Sequence, residues 1–268
     1  MQRRFFIIGC QRSGTTLTRL ILEAHPEIYC FDEIKGYAVL QKTMAEDPSW
    51  TGLTGFKIPR WTEQLSRDVL SDDGLEGVCP RFYNGEKILF LCRDVRDTIA
   101  SMLKLKAGES NWCELWVPRI IQGKLDHDET YRDRYSAELE LIEDSKNRLI
   151  GLAALYWKYK TESLFLYRDS GFPVLAVSYE QLVSDPRPVL DLICAHLEIP
   201  FHENLLRHTE FQHAELFENG FTLGNTDPAR PIQRESVGQW PHFLSQEDID
   251  LVGRVCGDLP QRVAAAFP

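Results

Sequence analysis

The stretch GCQRSGTT, Gly9 to Thr16, sets two glycines with four residues between them, and places one arginine (Arg12) and one hydroxyl (Ser13) just before the second glycine and two more hydroxyls (Thr15, Thr16) just after it. Those are the parts of an anion cradle. Successive backbone N–H groups point into one concavity, the positive end of a following helix faces it, and the hydroxyls and guanidinium complete the donors. The spacing is that of a nucleotide-triphosphate loop, yet Thr15 stands where such a loop carries the lysine that neutralises the β- and γ-phosphates beside Mg²⁺. A loop without that lysine suits a less highly charged group. The plainer alternative is a turn that merely caps a helix.

A second basic site follows in KILFLCRDVRDTIASM, where Arg93 ends an apolar run and Ser101 comes eight residues later on a helical pattern. Eight residues is a little over two helical turns, so the two meet at one ligand only if the chain folds back between them. Asp94, Arg96 and Asp97 read as ion pairs decorating the start of that helix, each pair contributing a few tenths of a kcal/mol.

With both motifs in view, RSGTTLTRLILEAHPEIYCFDE closely resembles the first cofactor-binding segment of sulfotransferases that use 3′-phosphoadenosine 5′-phosphosulfate (PAPS), in particular the tyrosylprotein and related bacterial branches. The resemblance runs from about Phe5 to Trp240. It implies a P-loop-like α/β fold in one domain over residues 1–268. It implies that Arg12, Ser13, Gly14, Thr15, Thr16 and Leu17 hold the 5′ end of the nucleotide, and that Arg93 and Ser101 clamp its 3′-phosphate. Tyr179, in VLAVSYEQLVSDP, is implied at the adenine. Arg230, with Arg234 and Ser236 as further candidates, is implied at the phosphates from a closing loop, RPIQRESVGQW.

For catalysis the resemblance points to Glu33 as general base, with Lys57 in GFKIPR and Arg12 near the transferred group. Asp32 and His25 are the neighbouring decoys. The product nucleotide would be 3′-phosphoadenosine 5′-phosphate (PAP), and sulfuryl transfer asks for no metal. The acceptor is a hydroxyl of a small molecule, a carbohydrate or a peptide tyrosine. Trp112, Trp116, Tyr131 and Tyr135 hint at an aromatic or carbohydrate face, and core packing explains them equally well. A P-loop small-molecule or nucleotide kinase is the enzyme alternative. His208 and His213 form no metalloprotease motif, and no serine-hydrolase elbow is present.

These residues need a scaffold, and the apolar runs supply one. Residues 5–8, 54–58, 87–92 and 173–179 read as buried parallel strands. Helical periodicity covers 16–24, 95–105, 146–168, 186–197 and 246–256. Strands alternating with helices predict a doubly wound parallel sheet whose ligands lie beyond the strands' carboxyl ends. Residues 106–145 and 202–241 lack clean periodicity and read as an irregular insert and a closing loop.

The totals narrow the partners. A formal charge of −10, from 30 Lys+Arg against 40 Asp+Glu, argues against nucleic acid or an anionic membrane as main partner. Seven cysteines without a C-x-x-C pair fit a reducing, cytoplasmic setting better than a disulfide framework or zinc site. The apolar start is too short for a signal peptide, and no run reaches the roughly 20 residues of a membrane span.

Overall fold

The computed structural model describes residues 3–40, 49–64, 85–211 and 226–268. Its centre is a five-stranded, all-parallel sheet built from β1 (Arg3–Gly9), β2 (Ile28–Phe31), β3 (Leu53–Lys57), β4 (Lys87–Cys92) and β7 (Val174–Ser178), in the order β2-β3-β1-β4-β7. Two two-residue strands, β5 (Lys106–Ala107) and β6 (Ser110–Asn111), form a separate hairpin. The central strands are apolar along their length because both faces are covered. Phe6, Ile8, Ile88 and Phe90 face one core layer, while Phe5, Ile7, Leu89 and Leu91 face the other.

The second layer is closed by α1 (Thr15–Glu23), α8 (Tyr179–Ser184) and α9 (Pro186–Leu197). The first is closed by α2 (Glu33–Leu40), α3 (Val95–Lys104), α7 (Arg148–Asp169), α10 (Gln246–Cys256) and α11 (Leu259–Ala264). α7 is the long central helix, its 22 residues burying side chains on several faces.

Topology fixes where a ligand goes. From β1 the chain builds β2 and β3 on one side and β4 and β7 on the other, so the order reverses at β1. The crevice of such a sheet opens at the carboxyl end of that strand. There the chain enters Gly9–Gly14, with Cys92–Asp94 beside it and a 3-10 turn (Pro59–Gln64) on the opposite flank.

The insert at 106–145 departs from the sequence expectation: it is helical. α4 (Trp112–His127), α5 (Glu129–Arg134) and α6 (Ser136–Glu143) follow the hairpin. The caps explain the starts, since Asn111 accepts from Glu114 N and Asp128 from Thr130 N and Tyr131 N. α4 does have an inward stripe, Cys113, Val117, Ile121 and Lys124. Its last member is charged, and Pro118 interrupts the stretch, so an apolar count misses it. The described parts of 202–241 are 3-10 turns and loop. His213 and residues 212–225 of the expected closing loop lie outside the described residues.

Candidate active site

The loop after β1 is shaped by two glycines with different tasks. Gly9 takes φ 134°, and a Cβ there would lie 2.2 Å from the Leu91 carbonyl oxygen of the neighbouring strand. Gly14 takes φ 97° and starts α1, and its Cβ would lie 2.4 Å from the Tyr179 ring. Only glycine allows both the left-handed backbone and the close approach. Arg12 has no such freedom and is still held at φ 74°, a conformation that costs a non-glycine residue roughly 1–3 kcal/mol. Its carbonyl accepts a hydrogen bond from Arg93 Nη1 at 3.0 Å, and its own Nε donates to Ser101 Oγ at 3.1 Å. The first anion loop is therefore tied directly to the second motif.

Around that junction lies a small cavity of about 160 Å³. Gly14, Thr15, Thr16 and Leu17 line it from the loop and helix, Arg93 and Ser101 from β4 and α3, Tyr179 from α8, and Arg230 and Ser236 from the C-terminal loop. Segments more than 200 residues apart in sequence, from Arg12 to Ser236, thus converge on one space. The Arg93 guanidinium stacks over the Tyr179 ring at 4.5 Å. Burial, and secondarily the like charge of Arg93, lower the Arg12 pKa to about 10, so Arg12 remains cationic at neutral pH. Ser13 is the sequence candidate that does not reach this wall: its side chain is buried and its Oγ lacks a hydrogen-bond partner among the described residues. Arg230 lines the cavity and Arg234 does not.

The C-terminal loop is latched to α3. Arg93 Nη2 donates to the Ser236 carbonyl at 2.5 Å. Asp97 accepts from the backbone N–H groups of Gly238, Gln239 and Trp240 at 2.6, 2.8 and 3.0 Å. The Arg96 guanidinium covers the Trp240 ring at 4.7 Å. The sequence reading of Asp97 as an ion-pair decoration is corrected here: Asp94 and Arg96 do pair at 2.7 Å, whereas Asp97 points inward and satisfies three successive backbone donors. An acid in the first turn of a helix carries no periodicity signal for such a role.

A larger cavity of about 530 Å³ adjoins the first, and Arg12, Thr15 and Thr16 line both. Glu33 and Lys57 line this second space. Asp32 caps α2, accepting from Ile34 N and Lys35 N at 2.9 and 3.0 Å. Glu33, one residue further, faces the cavity, with Oε1 accepting from Arg60 N at 2.9 Å. Lys57, the last residue of β3, is buried. Burial holds its ammonium below the ordinary lysine range, and the Glu33 carboxylate pulls it the other way. His25 is structural: Nδ1 accepts from Glu27 N at 3.1 Å, which leaves Nε2–H to donate to the Pro200 carbonyl at 2.9 Å. Trp112 and Trp116 line the large cavity, while Tyr131 and Tyr135 belong to the core.

Family models for sulfotransferases match the chain twice, a Sulfotransferase family model over residues 4–76 and a Sulfotransferase domain model over residues 75–264. The second spans well over half the chain. The protein belongs to the sulfotransferase family. Among curated proteins it is 24% identical to protein-tyrosine sulfotransferase 2 of Gallus gallus, over 98% of this chain and 67% of the relative. It is 23% identical to protein-tyrosine sulfotransferase of Drosophila melanogaster, over 98% of this chain and half of that protein's length. In fold it is similar to the sulfotransferase domain of the Synechococcus PCC 7002 olefin synthase, with TM-score 0.54, 19% identity, and coverage of 97% and 96% of the two chains. It is also similar to mouse sulfotransferase SULT7A1 complexed with PAP, with TM-score 0.53, 14% identity, and coverage of 99% and 88%. At these identities the structural likeness concerns the fold, and it agrees with the parallel α/β sheet expected from sequence. Nothing in these comparisons favours a kinase.

Sequence reasoning missed one group in this sulfotransferase. Glu63 sits between two ammonium groups, with Lys124 at 3.2 Å and Lys160 in contact with its other oxygen, and all three line the large cavity. Burial alone would push the Glu63 carboxyl up, and Lys160 and Lys124 outweigh it and hold the pKa below the usual value. A signal was present. Lys160 stands one turn after Tyr156 in a helix buried on several faces, where an unpaired charge is not tolerated.

Proposed function

We propose that this protein transfers a sulfuryl group from PAPS to an acceptor hydroxyl, with Glu33 as general base. One observation carries the reading: Arg12, Thr15 and Thr16 form the wall shared by the two cavities. A group held at the α1 N-terminus in the small cavity is presented, at that wall, to Glu33 and Lys57 in the large one.

The chain's residues fit an anionic nucleotide. Two like-charged guanidiniums, Arg12 and Arg93, are brought together at one space, and the buried Arg93 Nε has no hydrogen-bond partner among the described residues. Bound PAPS supplies the sulfuryl group on its 5′-phosphate. The loop amides, Thr15 and Thr16 would orient that phosphate, with Arg93 and Ser101 toward the 3′-phosphate and Tyr179 toward the base. Glu33 takes the acceptor hydroxyl's proton as the new S–O bond forms. The old S–O bond breaks with its electron pair left on the 5′-phosphate, where Arg12 and Lys57 offset the developing charge. The reading uses no metal.

Protein tyrosine, for which the relatives from Gallus gallus and Drosophila melanogaster are named, joins carbohydrates and small molecules as a candidate acceptor class. Sulfuryl transfer from labelled PAPS in EDTA tests the reading, together with the melting temperature in PAP and in ATP·Mg²⁺. The expected result is transfer and strong stabilisation by PAP; stabilisation by ATP·Mg²⁺ alone would point to the kinase.

Two substitutions test the nucleotide half. Arg93→Ala removes a charged hydrogen-bonding group and should weaken PAP binding by about 1.5–3 kcal/mol in calorimetry; unchanged affinity would refute the clamp. Asp97→Asn turns one carboxylate oxygen into a donor facing backbone N–H groups, so the loop carrying Ser236 and Arg230 loses its latch. PAP affinity should fall about tenfold, the effect of losing a charge-assisted bond, and PAP titration of the variant checks it.

A further inference from the structure

One wall of the large cavity is a single helix face. Trp112, Trp116, Ile120 and Gly123 of α4 all line it, and residues three and four apart stand one above the other on a helix. α4 packs on the core through a different stripe, Cys113, Val117 and Ile121, while Trp116 is left 44% exposed beside the cavity. An apolar row of this kind, facing a space of about 530 Å³, has the composition and size of a small-molecule wall. The row begins at the reacting end. The Trp112 ring meets the Tyr156 ring edge-on at 5.8 Å, and the Tyr156 hydroxyl donates to Gln11 Oε1 in the loop that carries Arg12. Gly123 lies three turns further, about 16 Å along the helix axis at 1.5 Å per residue.

Gly123 is the member of the row that neither packing nor backbone explains. It sits inside a helix, where glycine is the poorest choice after proline, and it takes no left-handed conformation. A Cβ built there would meet no atom within 4 Å beyond its own helix backbone and chain neighbours. Gly151 of α7 shows the contrast, since its Cβ would lie 2.7 Å from the Ile142 side chain. What Gly123 provides is therefore space. Two indoles and an isoleucine are followed, on the same face, by a gap that a larger side chain would fill at the cavity's expense.

We infer, on the sulfotransferase reading above, that the acceptor is an elongated small molecule and that Gly123 sets the length the enzyme takes. Its hydroxyl lies at the wall formed by Arg12, Thr15 and Thr16, and its apolar body runs along Trp112, Trp116 and Ile120 and crosses α4 at Gly123. A single aromatic ring leaves most of that row uncovered. A polypeptide is the poorer occupant, because it brings a backbone N–H and C=O at nearly every residue, and the side chains of this row hold no hydrogen-bond acceptor.

Calorimetry on the PAP-saturated enzyme tests this without turnover. The probes are two series of rising length, 4-ethyl-, 4-butyl- and 4-hexylphenol and the straight-chain primary alcohols from butanol to decanol, and a capped tyrosine peptide. In at least one series the wild-type affinity should rise about tenfold or more from shortest to longest, as burial of the added methylenes requires. Gly123→Leu should abolish that gain while keeping wild-type PAP affinity. Gly123→Ala should raise the melting temperature of the nucleotide-free protein by about 2 °C, the effect of helix propensity alone. An affinity that does not rise with length in either series, or a rise that survives in Gly123→Leu, overturns the inference. So does a lower melting temperature in Gly123→Ala, which would give the glycine a structural reason. Tighter binding of the peptide than of every alkyl probe overturns it in favour of a polypeptide acceptor. Failure of PAP itself to bind strikes the sulfotransferase reading and this inference with it; if PAP binds and length has no effect, the reading stands and the inference alone falls.

Discussion

Replacing Glu33 by glutamine is expected to lower kcat by about 10²-fold or more and to leave PAP affinity unchanged. The substitution is close to isosteric, and the glutamine oxygen still accepts from Arg60 N, which Glu33 Oε1 meets at 2.9 Å. What it loses is the capacity to take a proton. Asp32 does not replace it, because its Oδ1 is committed to the first turn of α2. Glu33 lines the large cavity and not the small one, so calorimetry with PAP should give the wild-type value while PAP release under saturating acceptor slows. Full turnover in Glu33→Gln would remove the glutamate from the mechanism. A parallel loss of PAP affinity would mean that it acts on the nucleotide instead.

Lys57→Met should have a comparable effect on turnover, about 10²-fold or more, the typical consequence of removing one donor from a site of developing negative charge. It should also move stability in the opposite direction. The Lys57 pKa is lowered from its ordinary 10.5, chiefly by burial. A base with a depressed folded-state pKa binds its proton less well in the folded chain than in the unfolded one. Its charged form therefore costs stability, in full below the folded pKa, and the cost fades as pH rises from there to 10.5. At neutral pH methionine keeps the volume and removes that cost. The nucleotide-free variant is expected to melt at a higher temperature than wild type, with the difference shrinking in alkaline buffer. A variant that is equally active, or that melts lower at neutral pH, would contradict the role assigned to this buried ammonium.

The two outcomes trace to what the sequence could and could not carry. The parallel sheet was legible because β1 and β4 are buried on both faces and so read as unbroken apolar runs. The tight loop after β1 was legible because Gly9 and Gly14 meet a backbone requirement no other residue meets. The expected convergence of Arg93, Ser101, Tyr179, Arg230 and Ser236 on one space is what the cavity lining displays. The detail differs: Ser101 reaches Arg12, while Arg93 reaches the backbone of Arg12 and Ser236.

The lining of the large cavity was harder to read for a physical reason. α4 turns a lysine inward along with Cys113, Val117 and Ile121, and α7 buries Lys160 beside Tyr156 and Tyr159. Polarity patterning treats such lysines as solvent-facing, yet here they are compensated by Glu63 from a turn some 60 to 100 residues earlier. Charge pairs of that kind are fixed by tertiary structure and leave no local pattern. Asp97 was missed likewise, since its partners are backbone N–H groups more than 140 residues away.

The central claim is that one nucleotide bridges both basic motifs and meets the acceptor cavity at Arg12, Thr15 and Thr16. A crystal structure with PAP tests it most directly. The account predicts the 5′-phosphate against residues 12–17, at the wall shared with the Glu33 cavity, and the 3′-phosphate against Arg93 and Ser101. PAP bound elsewhere, or with either phosphate away from its motif, would contradict it.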